Sequence, residues 1–443
     1  MDLRLEKPTS AWRPSLRFSL RSLVMLVLFA AIGLGAYSWG LRRSRRQAPA
    51  VDTLRTFGAK ITYDYGGTYP GIVNGPRRPI SKPSPYPAWL VDALGIDFFH
   101  DVTEVHCESS KVLSPQDAKL FWDAIAGLPR LKRLEASGGM TEPGNILALA
   151  RHDRLTRLSL RWAYATPSDY AVLQKLSRLE YLDLSDAPIT DEHLKFIAGA
   201  PALKSLDLHH ARITNGGLQA IAAMPQLEHL WLSGTEVGDD GIALLRGHPS
   251  LVDVDLCYTK ITDASLAHLA TIPRLAELDI SSTALTDRGL SALEGHRELS
   301  YLNLESTEIR GSGLASLKHL PSLEELCLGG RKLKSAVALA GCRRLKRVKL
   351  LGALSVTEEG GVSLVEELER IDMPRVVELD AFSFSDDQLM VLAASSKLKT
   401  IYGSWYGGWA PTPAAIAAFR KQQPNCELIE DTRGRTRGLR SRP

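Results

Sequence analysis

Three aspartates and three histidines recur close together along this chain: Asp183, Asp207 and Asp255, with His209, His210 and His229 beside them. Imidazole and carboxylate groups suit three tasks: holding a divalent metal, moving protons near neutral pH, or meeting a cationic ligand. Around them stand Trp162, Tyr181, Trp231 and Tyr258, and aromatic side chains kept outside a core are over-represented at binding hot spots. The spacing argues for binding rather than catalysis. Asp183, Asp207, Trp231 and Asp255 follow one another at 24-residue steps, so a repeat sets their positions, not the geometry of a ligand. His209, His229 and Asp207 are the trio able to face a metal, but nothing marks supporting groups behind them, so no metal or cofactor is expected. Gly-rich phosphate loops, GxSxG and HExxH are absent, and the chain is not expected to be an enzyme.

The 24-residue step is explicit between Leu179 and Pro321. The units read LEYLDLSDAPITDEHLKFIAGAPA, LKSLDLHHARITNGGLQAIAAMPQ, LEHLWLSGTEVGDDGIALLRGHPS, LVDVDLCYTKITDASLAHLATIPR, LAELDISSTALTDRGLSALEGHRE and LSYLNLESTEIRGSGLASLKHLPS. In the unit from Leu227, period-two alternation points Leu230 and Leu232 inward and Trp231 outward to solvent, with Leu227 and Val237 also inward. Thr190-Asp191, Thr262-Asp263 and Thr286-Asp287 supply side-chain oxygens for the orphan amides of a helix start. The helix buries Leu194 and Ile197, or Leu266 and Leu269, and a proline such as Pro201, Pro225, Pro249 or Pro273 ends it. No unit covers its own apolar face, so neighbours must stack.

On these phrases the chain resembles bacterial leucine-rich-repeat proteins of the LxxLxLxxTxITDxGLxxLxxxP type. That resemblance implies an α/β solenoid, with parallel strands on a concave face and helices on the convex face. Thr235, Thr259, Thr283 and Thr307 occupy a position often given to asparagine or cysteine, while Ala187 and Ala211 depart from the pattern and leave their turns to find another partner. Read through the repeat, the middle strand residues Asp183, Asp207, Trp231, Asp255, Asp279 and Asn303 form an outward file. Stacked carboxylates repel, which either keeps the sheet wet or invites a cationic partner. The aromatic and imidazole residues Trp162, Tyr181, His209, His210, His229, Trp231 and Tyr258 lie beside that file.

The charge is unevenly spread. Residues 1–46 hold nine Lys/Arg against Asp2 and Glu6, and five arginines follow Thr432, so with a whole-chain charge of +4 the stretch between is net −8. The arginine-rich tail offers only weak, salt-sensitive contacts, and neither nucleic acid nor a small-molecule substrate is the expected partner. The five cysteines show no CxxC spacing; Cys107 and Cys426 fall on inward positions, Cys257 and Cys327 on the outer face of their strands, and neither a disulfide framework nor a zinc site is indicated.

Residues 22–41, SLVMLVLFAAIGLGAYSWGL, carry no formal charge and match the hydrocarbon thickness of a bilayer as a helix. Arginines flank both ends, and Tyr37 and Trp39 stand near the second interface. A cleaved signal peptide is the competing reading. The organisation expected is a basic tail (1–21), a transmembrane helix (22–41), a juxtamembrane lead-in and Pro-rich linker (42–101), an N-terminal cap (102–130), regular repeats (131–344), irregular repeats with a C-terminal cap (345–430), and a disordered arginine tail (431–443). Anchor, linker and repeats together resemble single-pass leucine-rich-repeat proteins of planctomycete bacteria. From the apolar span and the outward strand face, the expectation is a membrane-anchored scaffold, its repeats outside the cytoplasm, that binds a protein or peptide through the concave face. An intracellular adaptor resembling the repeat half of F-box proteins and a structural envelope component are the alternatives.

Overall fold

A computed structural model describes residues 20–69, 82–108, 113–138, 142–329, 337–342, 344–351, 377–381, 386, 389–390, 393, 398–403 and 412–430. The basic N-terminal tail, the proline-rich stretch 70–81, the SWYGGWAPTP segment up to residue 411 and the arginine tail lie outside these residues. A 37-residue helix α1 (Leu20–Thr56) opens the described chain. A short hairpin follows, β1 (Lys60–Tyr63) and β2 (Thr68–Tyr69), then two small helices α2 (Ala88–Leu94) and α3 (Ile96–Phe99). β3 (Val102–Glu108) and α4 (Pro115–Ala126) begin the stack. Strands then recur as β4 (Arg133–Ser137), β5 (Arg157–Ser159), β6 (Tyr181–Asp183), β7 (Ser205–Asp207), β8 (His229–Trp231), β9 (Asp253–Asp255), β10 (Glu277–Asp279), β11 (Tyr301–Asn303) and β12 (Glu325–Gly329).

All these strands belong to one sheet, in chain order and parallel from β3 onward, with β1 antiparallel to β3 and β2 outside it at the edge. Strand pairing keeps the 24-residue step: Leu182, Leu206, Leu230, Val254, Leu278, Leu302 and Leu326 stand side by side as one inward row. Every member of that row is fully buried. Leu184, Leu208 and Leu232 form a second buried row two residues on, as alternation requires. Beyond β12 the step shortens and lengthens through β13 (Arg347–Leu351), β14 (Val377–Ala381), β15 (Leu398–Gly403) and β16 (Glu427–Glu430), yet the same sheet continues.

The Thr-Asp phrase does more than cap its own helix. Asp239 opens the helical turn of its own repeat and accepts hydrogen bonds from the Thr262 amide (2.9 Å) and Thr262 Oγ1 (2.6 Å) of the next repeat. Asp191 to Thr214 and Asp263 to Thr286 repeat the pattern, and Asp287 takes the amides of Arg310, Gly311 and Gly313. Burial alone would raise the Asp239 pKa, but bonds from Ser265 and Thr262 outweigh it and hold the carboxyl below its usual value. Thr235, Thr259, Thr283 and Thr307 each donate Oγ1 to the carbonyl three residues earlier, at 2.6–2.8 Å. At the alanine turns the corresponding carbonyls of Leu184 and Leu208 accept the Ala187 and Ala211 amides.

The first rung is closed by α1. Its second half buries Ala50, Val51 and Leu54 against the cap. Gln47, 3 % exposed, donates to Asp97 Oδ1 (2.7 Å) and the His100 carbonyl (2.8 Å) and accepts the Val102 amide (2.9 Å). Asp239→Ala removes three acceptor contacts between repeats and is expected to lower unfolding free energy by about 2–4 kcal/mol in urea denaturation. Because the Asp239 pKa is depressed, the wild type's advantage is present above the ordinary carboxylate pKa and disappears as pH falls through the depressed one. Glu236→Ala, which breaks only the exposed Lys260 pair, should change stability by less than about 0.5 kcal/mol.

Candidate functional site on the open strand face

Each strand presents alternate residues on the face opposite the leucine rows. Three columns result, running through Tyr181, Asp183 and Ser185 on one rung, through Ser205, Asp207 and His209 on the next, and through His229, Trp231 and Ser233 on the third. The middle column was expected in solvent. The structure corrects this: Asp183, Asp207 and Asp255 are each below 10 % exposed and Trp231 only 4 %, although none belongs to the leucine core. The face assignment follows alternation, but side chains from adjacent rungs cover the column.

The aspartates recur for a local reason. Asp183 accepts the amide of Ser185 (2.9 Å), Asp207 that of His209 (3.1 Å), Asp255 that of Cys257 (3.0 Å), Asp279 that of Ser281 (3.0 Å), and Asn303 that of Glu305 (3.0 Å). Each carboxylate or amide thus ends its strand by taking the N–H two residues on, the turn device for which Asp and Asn are favoured. Their mutual repulsion is met inside the chain. Asp183 also accepts from Ser159 Oγ (2.9 Å), and Asp279 from Asn303 Nδ2 (2.8 Å). Burial, then the neighbouring Asp207, pushes the Asp183 pKa up; burial and Asp255 do the same to Asp279.

His209 is the internal cation of this file. Its Nδ1 contacts Asp207 Oδ1, and its Nε2 lies 3.1 Å from Asp255 Oδ2, two rungs away. Burial would lower its pKa, but the hydrogen bonds to Asp207 and Asp255 outweigh burial and hold the imidazole up to about 9. An acidic column waiting for a cationic partner is therefore not what the fold presents here. Trp231 leans to the other side, donating Nε1 to Asp253 Oδ2 (2.9 Å), and His229 Nδ1 lies 3.5 Å from the same oxygen. The His229 and Trp231 rings stack at 5.8 Å, and Tyr181 closes over Trp231 at 6.2 Å. His209 and His229 therefore serve different aspartates, and no group of three metal-ligating side chains occurs among the described residues.

Trp162, His210 and Tyr258 sit elsewhere, just past the strand ends, with φ of 63°, 58° and 54°. They share one column with Asp186, Gly234, Ser282 and Ser306, all at positive φ and all 24 residues apart. Gly138 holds the same place one repeat earlier. The left-handed backbone is kept because each of these amides continues the ladder: Trp162 donates to the Ser185 carbonyl, His210 to Ser233, and Tyr258 to Ser281. Trp162 is 51 % and Tyr258 60 % exposed. Alternation could not find this column, but the glycines at 138 and 234 mark it, since glycine is the residue that adopts such a φ freely. Asp253, the hub for Trp231 and His229, carried no sequence signal beyond its register.

Other histidines turn out to be rung ties. His152, His248 and His296 place Nε2 at 3.1, 3.2 and 2.9 Å from carbonyls of the preceding repeat, at Ile125, Met224 and Ile272. Burial lowers the pKa of His152 and His248, so they act as neutral donors. Near the first repeats a depression of about 150 Å³ is lined by Glu108, Glu135, Arg157, Arg161, Tyr181 and Asp183, small against the cavities that hold drug-sized molecules.

Register, parallel sheet and repeated turns together define a solenoid of stacked strand-and-turn repeats. The family model described as Leucine Rich repeat matches residues 201–222 and 275–293. Among solved structures the chain is similar to an internalin (inlF) from Listeria monocytogenes str. 4b F2365, at 19% identity and TM-score 0.43, over 74% of this chain and 86% of that one. It is also similar to internalin C2 (inlC2) of the same strain, at 23% identity and TM-score 0.35, over 47% and 83% respectively. No curated protein matches the chain.

His209 sets a pH dependence whose direction is fixed. Its folded pKa lies above the ordinary value of 6.5, so its stabilisation is complete below pH 6.5 and lost as pH rises through about 9. Guanidinium denaturation should show wild type more stable than His209→Gln by up to about 3 kcal/mol at pH 6, with the gap closing by pH 10. A gap independent of pH would mean that the imidazole is not charged in the fold.

Proposed function

We propose that this protein is a membrane-anchored interaction scaffold that holds a protein or peptide on the open, concave side of its strand sheet and performs no chemistry. The observation that carries the reading is the left-handed column. Holding a large residue at positive φ costs on the order of 1–3 kcal/mol, and Gly234 shows that the column accepts the residue that avoids the cost. Trp162, His210 and Tyr258 stand there all the same, with their side chains exposed. Over the four steps between five rungs they span roughly 19 Å at the usual strand spacing, a length suited to an extended peptide or a protein edge. Tyr181, His229 and Trp231, with Asp183, Asp207, His209 and Asp255, form the stiff floor beside them.

Anchoring rests on α1. It is long and apolar enough to cross a membrane, and its apolar stretch lies outside the protein core: Val24 to Leu34 hold large apolar side chains that are 51–69 % exposed. The repeats are placed outside the cytoplasm, with the basic N-terminus inside. A partner trapped by a photo-crosslinking residue at position 162 in the source cells can be purified and its Kd measured. Trp162→Ala with Tyr258→Ala should weaken it at least about tenfold, the loss of roughly 1.4 kcal/mol, while circular dichroism stays unchanged. An unaltered Kd would remove the column from the binding site.

A further inference from the structure

We infer that α2, with Trp89 at its tip, lies in the lipid headgroup layer, so that the amino-terminal end of the solenoid is seated on the bilayer surface. The inference rests on the membrane-anchor reading of α1 and adds where the folded body sits.

α1 is one helix from Leu20 to Thr56. Residues 24–39 are apolar and exposed, yet the same helix is locked into the cap by Gln47, Val51 and Leu54, so the height of the cap above the apolar stretch is fixed. Arg43 fixes the angle as well. It pairs with Asp101 (3.3 Å), which also holds Arg130 (3.3 Å), and its guanidinium lies 3.6 Å over the Trp39 ring. α3 is pressed onto α1 where the apolar stretch ends. The Tyr37 and Phe98 rings are 5.7 Å apart, and a Cβ at Gly40 would fall 2.5–2.8 Å from the tip of the Phe98 ring, so any larger residue there would have to push that ring aside. Phe98 continues to Phe99 (4.9 Å) and Phe99 to Tyr86 (4.5 Å), which places an aromatic chain across the level of Tyr37 and Trp39.

α2 is joined to α3 through Gly95 and has no buried residue. Its sequence, AWLVDAL, is nevertheless mostly apolar, and Trp89 is 70 % exposed. Leu90, Val91 and Leu94 are half-buried, Val91 against the core, which leaves Trp89 as the large apolar side chain that α2 turns outward, and the headgroup region favours Trp and Tyr at the end of a span. Arg42, Arg45 and Arg46 are exposed immediately after the apolar stretch, where they would meet anionic lipid headgroups. Asp92 is exposed on α2 and must stay hydrated, which limits α2 to the headgroup layer rather than the hydrocarbon.

The test uses the full chain with Cys257→Ala and Trp89→Cys, labelled with an environment-sensitive fluorophore and reconstituted into vesicles of phosphatidylcholine and phosphatidylglycerol. The expected result is blue-shifted emission at position 89, quenched at least about twofold by a spin-labelled lipid carrying its probe near the headgroup. The same label at Tyr164→Cys, on an exposed repeat position, should read as water. A water-like, unquenched signal at 89 from protein that still floats with the vesicles overturns this inference and leaves the anchor standing. A shielded signal that lipid does not quench gives the face to another protein surface and overturns it equally. Protein that fails to float, or that alkaline carbonate releases, overturns the anchor reading itself.

Discussion

The structure depends on one constraint: a strand of three residues and one helical turn cannot hide their own aliphatic side chains. Leu182, Leu206, Leu230, Leu278 and Leu302 are each covered only because an identical row lies on either side. Burying such a side chain is worth about 1.5–3 kcal/mol, so the array gains stability by stacking rather than by the strength of any one repeat. The polar fixtures follow from that stacking. Asp239 and its equivalents tie helix starts across a repeat boundary, and His152, His248 and His296 tie helix ends across it.

With the leucines on one face, the other is left with polar groups that must be satisfied at close quarters. The chain settles most of this internally. The strand-ending aspartates take their own turn amides, His209 bridges two of them with one positive charge, and Asp253 organises Trp231 with His229. What remains exposed is the rim where the backbone turns left-handed, at Trp162, His210 and Tyr258. Under the proposed scaffold reading, a floor whose polar groups are already paired would cost little to order when a partner settles on that rim.

The aliphatic phrase spells the fold almost without loss. LxxLxL gave the inward rows and the ITD phrase gave the helix starts, while the steps between the last strands depart from 24 residues. The candidate site was legible in location but not in state. Alternation says which face Trp231 and Asp183 occupy; it is silent on whether Tyr181, His229 or Ser159 will fold over them, because that depends on rotamers from adjacent rungs. The repeat sets Trp162, His210 and Tyr258 beside the strand file, and a positive φ carries them on to the rim past the strand ends. The arginines after Leu41 suggest a boundary between span and lead-in, yet helical hydrogen bonding runs on through Pro49 to Thr56. A charged surface segment and a helix are compatible, and composition alone does not separate them.

The separation of a covered floor from an exposed rim can be measured directly by hydroxyl-radical footprinting of the native protein. Trp162 and Tyr258 should oxidise rapidly, and Trp231, 4 % exposed under Tyr181 and His229, should be protected at least about tenfold relative to Trp162. Comparable oxidation of Trp231 and Trp162 would contradict the account, since the open face would then be a solvated strand surface with no distinct rim.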